Sequence, residues 1–133
     1  MIDKETICAI ASSQGGAIGI IRISGSNAFN AVESIFKPKD ENKTVHEQKG
    51  YTQLYGRIID QKTQEDIDDV IISVYHAPHS YTGEDSVEIS CHGSSYILQR
   101  IIELLISSGC RMANPGEYTQ RAFLNGKMDL AQA

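Results

Sequence analysis

The chain has 133 residues, 41% of them hydrophobic, and a formal net charge of −5. That is one domain's worth of chain with enough apolar residues for a core, and the acidic balance argues against a surface built as a whole to clamp phosphate backbones. No apolar run approaches the roughly 18 residues that span a bilayer, the first residues lack the apolar segment of a secretory signal, and three cysteines without CxxC spacing read as reduced, buried, cytosolic thiols.

Residues 5–11 read as a first strand, and residues 12–16 (SSQGG) as a turn whose paired glycines can supply positive φ. Residues 17–24 are the second strand. There Ile21 and Ile23 share one face, while Arg22 shares the other with Ile20 and Ser24. A helix starts at residues 24–26, because Ala28, Phe29, Ala31, Val32, Ile35 and Phe36 fall on one helical stripe; Lys37-Pro38 ends it. Residues 39–49 are polar and charged, a solvated loop with Val45 its only aliphatic residue. Residues 51–60 and 67–76 read as an antiparallel hairpin with its turn at 61–66. Asp66, Asp68 and Asp69 lack the spacing of a calcium loop and read as a solvated strand end.

Residues 77–85 (APHSYTGED) form a loop bracketed by Pro78 and Gly83. It is too rich in hydrogen-bonding side chains to be buried without a reason. In residues 86–91 strict alternation puts Val87, Ile89 and Cys91 on one face and Ser86, Glu88 and Ser90 on the other. Ser94 caps the strongest helix of the chain, whose stripe runs through Ile97, Leu98, Ile101, Ile102, Leu104, Leu105 and Ile106, and Gly109 stands at its C′ position. Pro115 and Gly116 open the closing stretch, which has Tyr118, Ala122, Phe123 and Leu124 to bury. A further helix is expected to begin at Asp129 and to be cut at Ala133. Strands joined by short turns, with two helices left over, favour an α+β domain: a mixed, mostly antiparallel sheet with two helices covering one face.

Most motifs that would carry chemistry fail on spacing. Gly15, Gly16 and Gly19 lie between two strands and do not make a dinucleotide fingerprint. Gly126-Lys127 would close a phosphate loop, but Met128 follows in place of Ser or Thr and no glycine lies five before Gly126, so a P-loop is absent. His76, His79, Cys91 and His92 match no standard zinc module and read as polar loop residues bonding to backbone. Nothing near Cys8, Cys91 or Cys110 activates a thiol. What remains is a set of charges on otherwise apolar elements: Arg22, Glu88 and Lys127. An isolated charge buried in a sheet is expensive, so each needs solvent or a partner. Either Arg22 and Glu88 pair on an exposed face, or they line a pocket, with Glu88 accepting two N–H donors from a heterocycle and Arg22 or Lys127 holding a carboxylate.

Five stretches resemble the N-terminal region of the MnmE (TrmE) family of tRNA modification GTPases. They are Thr6-Ile7 with Ala9, IGIIRISG at residues 18–25, SYTGED at 80–85 with Val87 and Glu88 after it, His92-Gly93, and PGEYTQRAFLNGKMDLAQA at 115–133. They span nearly the whole chain. The departure is at residues 12–14, where the family has a Pro- and Gly-rich turn. The resemblance implies a fold similar to the folate-binding domain of the glycine-cleavage aminomethyltransferase. It divides the chain into a folate-binding and dimerisation domain at residues 1–118 and the start of a helical domain at 119–133. It implies 5-formyl-tetrahydrofolate or a related tetrahydrofolate held by Arg22, Glu88 and Lys127 near the interface of a homodimer. It also implies a cytoplasmic full-length protein that uses GTP, Mg and K and modifies the wobble uridine of tRNA with the flavoprotein MnmG. The competing expectation is a ligand-free structural dimerisation module in which Glu88 pairs with Arg22.

Overall fold

Seven strands make one sheet in the computed structural model, which describes residues 5–12 and 15–127. In chain order the elements are β1 (Ile7–Ile10), β2 (Ile18–Ser24), α1 (Ala28–Glu33), β3 (Phe36–Pro38), β4 (Thr52–Asp60), β5 (Glu65–Tyr75), β6 (Ser86–His92), α2 (Ser95–Ser107), β7 (Arg111–Met112) and α3 (Glu117–Leu124). The turn expected at residues 12–16 falls partly, and the helix expected from Asp129 wholly, outside the described residues. The spatial order is β3-β4-β5-β6-β2-β1-β7. Every pair is antiparallel except β1 with β7 at one edge. The expected mixed, mostly antiparallel α+β sheet is therefore present.

Alternation along the two central strands decides which residues meet the helices. Ile21 and Ile23 of β2 stand opposite Ile89 and Val87 of β6, and all four are fully buried in the core under α1 and α2. Arg22 stands opposite Glu88 on the other face. Helix α2 begins where Ser94 accepts a hydrogen bond from the Ile97 backbone N–H and ends before Gly109, whose φ is 102°. Its stripe buries Leu98, Ile101, Ile102 and Leu105, each contributing about 1.5–3 kcal/mol of apolar burial, while Ile106 at the stripe's edge is exposed. On its polar side Arg100 bonds Asp60 at 3.0 Å and Glu65 at 3.3 Å, and the guanidinium holds the Asp60 carboxyl below its ordinary range.

Three local expectations are corrected. The stripe from Ala28 to Phe36 is not one helix: α1 stops at Glu33, and Phe36–Pro38 become strand β3 against Ile58–Gly56 of β4. Pro38 disfavours the helical region for Lys37, and Gly56 makes the pairing possible. A Cβ on Gly56 would meet the Lys37 carbonyl and the Phe36 ring, both at 2.4 Å. Asp68 is not solvated, because its carboxylate receives the His92 backbone N–H at 2.8 Å and faces His92 Nδ1 at 2.7 Å. The two-residue strand β7 and the helix α3 add to the predicted elements. In α3 it is Glu117, Arg121 and Ala122 that are buried, whereas Phe123 and Leu124 are exposed.

Candidate functional site

The sheet face opposite α1 and α2 has two differently finished ends. At one end, loop residues 77–85 and helix α3 close over β2 and β6. At the other, Ile18, Tyr55, Ser90 and His92 line a groove of about 770 Å³ on the bare face.

The closed end is built on hydroxyls and charges. Ser24 Oγ lies 2.6 Å from Thr82 Oγ1 and donates to Glu84 Oε1 at 2.8 Å, and Ser86 Oγ donates to Ser24 Oγ at 3.3 Å. Arg121, only 3% exposed, donates to Glu84 and to Glu117. Arg111 adds two more bonds to the Glu117 carboxylate, at 2.8 and 2.6 Å. The Arg111 bonds lower the Glu117 pKa to about 2, with help from the Asn114 backbone N–H and against the opposing effect of burial. No buried side-chain N or O among the described residues is left without a partner. Within the loop it is Ser80 and Thr82 that are buried, and their hydroxyls are satisfied by Glu84, Ser24 and the loop backbone.

This network sets two tyrosines beside Arg22. The Arg22 guanidinium lies 5.8 Å from the Tyr81 ring centroid and 5.9 Å from that of Tyr118, within cation–π range. Tyr81 is anchored by a 3.1 Å contact between its hydroxyl and Thr119 Oγ1. Tyr118 donates its hydroxyl hydrogen to the Arg22 carbonyl oxygen at 2.5 Å, and burial pushes its phenol pKa up.

Of the three residues singled out in the sequence, two meet. Arg22 Nε and Nη2 both reach Glu88 Oε2 at 2.9 Å. The fork closes on one oxygen, and Oε1 has no hydrogen-bond partner among the described residues. Both side chains are partly open, 34% and 27% exposed. Tyr75 of the neighbouring strand has its phenol pKa raised, first by burial and then by the Glu88 charge. Lys127 is exposed and lies elsewhere: its stem packs against Gly83, which turns the loop at φ 82°. A Cβ on Gly83 would meet Asn125 Cβ at 2.8 Å and Lys127 Cγ at 3.3 Å, so this close approach needs glycine. Asn125 completes the contact by donating to the Thr82 carbonyl at 2.8 Å.

Sequence reasoning missed Tyr81 and Tyr118. The signal for Tyr81 was its position inside a loop of hydrogen-bonding residues. Tyr118 gave none beyond its aromaticity, since its role depends on where α3 docks. The alternative chemistries find no support in the geometry. His76 Nε2 lies 2.6 Å from the Gln48 carbonyl and its ring packs on Phe29, and His92 is engaged by Asp68. Among the described residues no group of three or more His, Cys, Asp or Glu side chains is placed to hold a metal ion. All three cysteines are buried, and burial pushes the Cys91 thiol up to about 11. No helix among the described residues is long and apolar enough to cross a membrane.

The model of the family described as the GTP-binding protein TrmE N-terminus matches residues 6–127. The tRNA modification GTPase MnmE of Bacteroides thetaiotaomicron is 61% identical over 132 residues, which cover 99% of this chain and 28% of that protein. The proteins of the same name from Flavobacterium johnsoniae and Alkaliphilus oremlandii are 53% and 50% identical, each across 100% of this chain and 28% and 29% of their own lengths. The chain thus spans under a third of the relatives it matches.

Proposed function

This chain belongs to the MnmE (TrmE) family of tRNA modification GTPases as its N-terminal domain, and from that premise we propose that it holds a tetrahydrofolate, such as 5-formyl-tetrahydrofolate, at Glu88 and Arg22 and dimerises. The observation that carries the reading is the juxtaposition of Glu88 and Arg22, partly open and flanked by two tyrosine rings, on the sheet face away from the core. A carboxylate there suits the N–H edge of an aminopyrimidinone, and a guanidinium suits a glutamate carboxylate. Lys127, on the flank of the same loop, is the third proposed contact. In the full-length protein we place this domain with a cytoplasmic enzyme that hydrolyses GTP with Mg and K and, with the flavoprotein MnmG, modifies the wobble uridine of tRNA. The folate would supply the one-carbon unit.

Isothermal titration of the domain with 5-formyl-tetrahydrofolate tests this, with sedimentation to establish the dimer. Glu88→Ala is expected to lower affinity at least tenfold while stability falls by less than about 1 kcal/mol, since the pair it breaks is partly exposed. Unchanged binding by that variant would remove Glu88 from the site. A second reading is favoured by one observation. The Arg22–Glu88 pair is closed at 2.9 Å, as a structural dimerisation module without ligand would have it. A folded dimer that gives no heat with folate would establish that reading instead.

A further inference from the structure

The closed pair and a ligand site are compatible if the pair is itself a mimic of the complex. A guanidinium is flat, delocalised and edged with N–H donors, and these are the properties by which an aminopyrimidinone edge would address a carboxylate. Here the guanidinium donates its Nε–H to Glu88 Oε2, holds Nη2 2.9 Å from the same oxygen, and lies within cation–π range of Tyr81 and Tyr118. A flat heterocycle would exploit the same carboxylate and the same rings.

We propose that Arg22 is a resident stand-in: it occupies Glu88 in the free domain, a pterin edge takes its place on binding, and the released guanidinium turns to the ligand's carboxylate tail. This rests on the folate reading above and adds the order of events and a divided role for Arg22. Three features make the exchange feasible. The fork is closed on Oε2 alone, so the pair falls short of a full two-oxygen clamp. The pair is partly open to water, which keeps its net contribution small. The walls do not depend on the guanidinium: Tyr81 is held by Thr119, and Tyr118 is held by the Arg22 backbone carbonyl. The side chain can therefore leave while the rings stay.

The consequence is a change of sign between two probes. A tailless tetrahydropterin, such as 6-methyltetrahydropterin, must break the pair and offers Arg22 nothing in return. 5-Formyl-tetrahydrofolate breaks the same pair and supplies a carboxylate. Titrating both into wild type and Arg22→Ala, the variant should bind the tailless probe about fivefold more tightly and 5-formyl-tetrahydrofolate about fivefold or more weakly. If Arg22→Ala weakens both probes, or leaves the tailless one no tighter, the stand-in is excluded and the folate site survives. If folded wild type binds neither probe and Arg22→Ala binds neither, the folate reading fails and takes the inference with it. A measurement on the wild type guards against a variant that does not fold. The Arg22 Nε–H resonance should leave its Glu88-bonded position on saturation with 5-formyl-tetrahydrofolate; an unmoved resonance in the saturated complex overturns the exchange.

Discussion

The two ends of one sheet face are finished by opposite means. Beside Arg22 and Glu88, the loop of residues 77–85 and α3 bring in the buried Thr82, Glu117 and Arg121 and the half-buried Glu84, bonded to one another or to Ser24. Four residues further along β6, His92 is exposed, and Ile18 and Tyr55 beside it are 64% and 62% exposed, with no described residue laid over them. The strands are continuous and the face is the same. What differs is whether a polar cover with its own internal partners is available. Charge can be buried at the first end because every carboxylate there meets a guanidinium or a backbone N–H. The second end keeps apolar side chains exposed beside charged neighbours such as Arg57, which bonds Asp66 at 2.8 Å.

The sharpest way to break this contrast is to remove the cation at the centre of the cover. Arg121→Ala leaves Glu117 and Glu84 facing each other without their shared guanidinium, and is expected to cost about 3–5 kcal/mol in urea unfolding. A loss below 1 kcal/mol would mean the cover does not depend on its charges. A smaller effect separates the ends by pH. The folded-state pKa of Glu117 is depressed from 4.5 to about 2, so its contribution is complete above pH 4.5 and is lost as pH falls toward 2. Allowing for screening, wild type should lose on the order of 2 kcal/mol across that window. Glu117→Gln should flatten this part of the acid limb, and an unchanged acid limb in the variant would contradict the assignment. Smallest of all, Ile18→Ser at the bare end should shift stability by no more than about 0.5 kcal/mol; a loss of 2 kcal/mol would show that this end is covered in solution.

Most of the central architecture was legible in the sequence, because period-two alternation is local. The facing of Arg22 and Glu88 followed from their neighbours in β2 and β6, and the Ser94 cap and Gly109 bounded α2. What was not legible depends on distant partners. Phe36 continues a helical stripe perfectly well, and what makes it a strand residue is Pro38, which turns Lys37 from the helical region, together with the space left by Gly56 on another strand. The two residues of β7 have no pattern of their own and are strand only because β1 lies beside them. In α3 the buried Glu117 and Arg121 contradict hydrophobic reasoning until Glu84 and Arg111 are brought up to them. The tyrosine walls fail for the same reason, since Tyr81 and Thr119 are 38 positions apart.

The order of strands also has a kinetic meaning. The β4–β5 hairpin can zip from its own turn, but the central β2–β6 seam joins Arg22 to Glu88, 66 positions apart. The last clasp reaches from Tyr118 to Ile7, 111 positions apart. Loop closure on that scale must precede any reward from the contacts it brings, which places this sheet among topologies that fold in milliseconds to seconds. During synthesis the first two strands are made early and wait for their outer neighbours until residues beyond 86 have emerged. In that interval the edge of β2 that will meet β6 is an unpaired, isoleucine-rich strand, open to pairing with another nascent copy of itself.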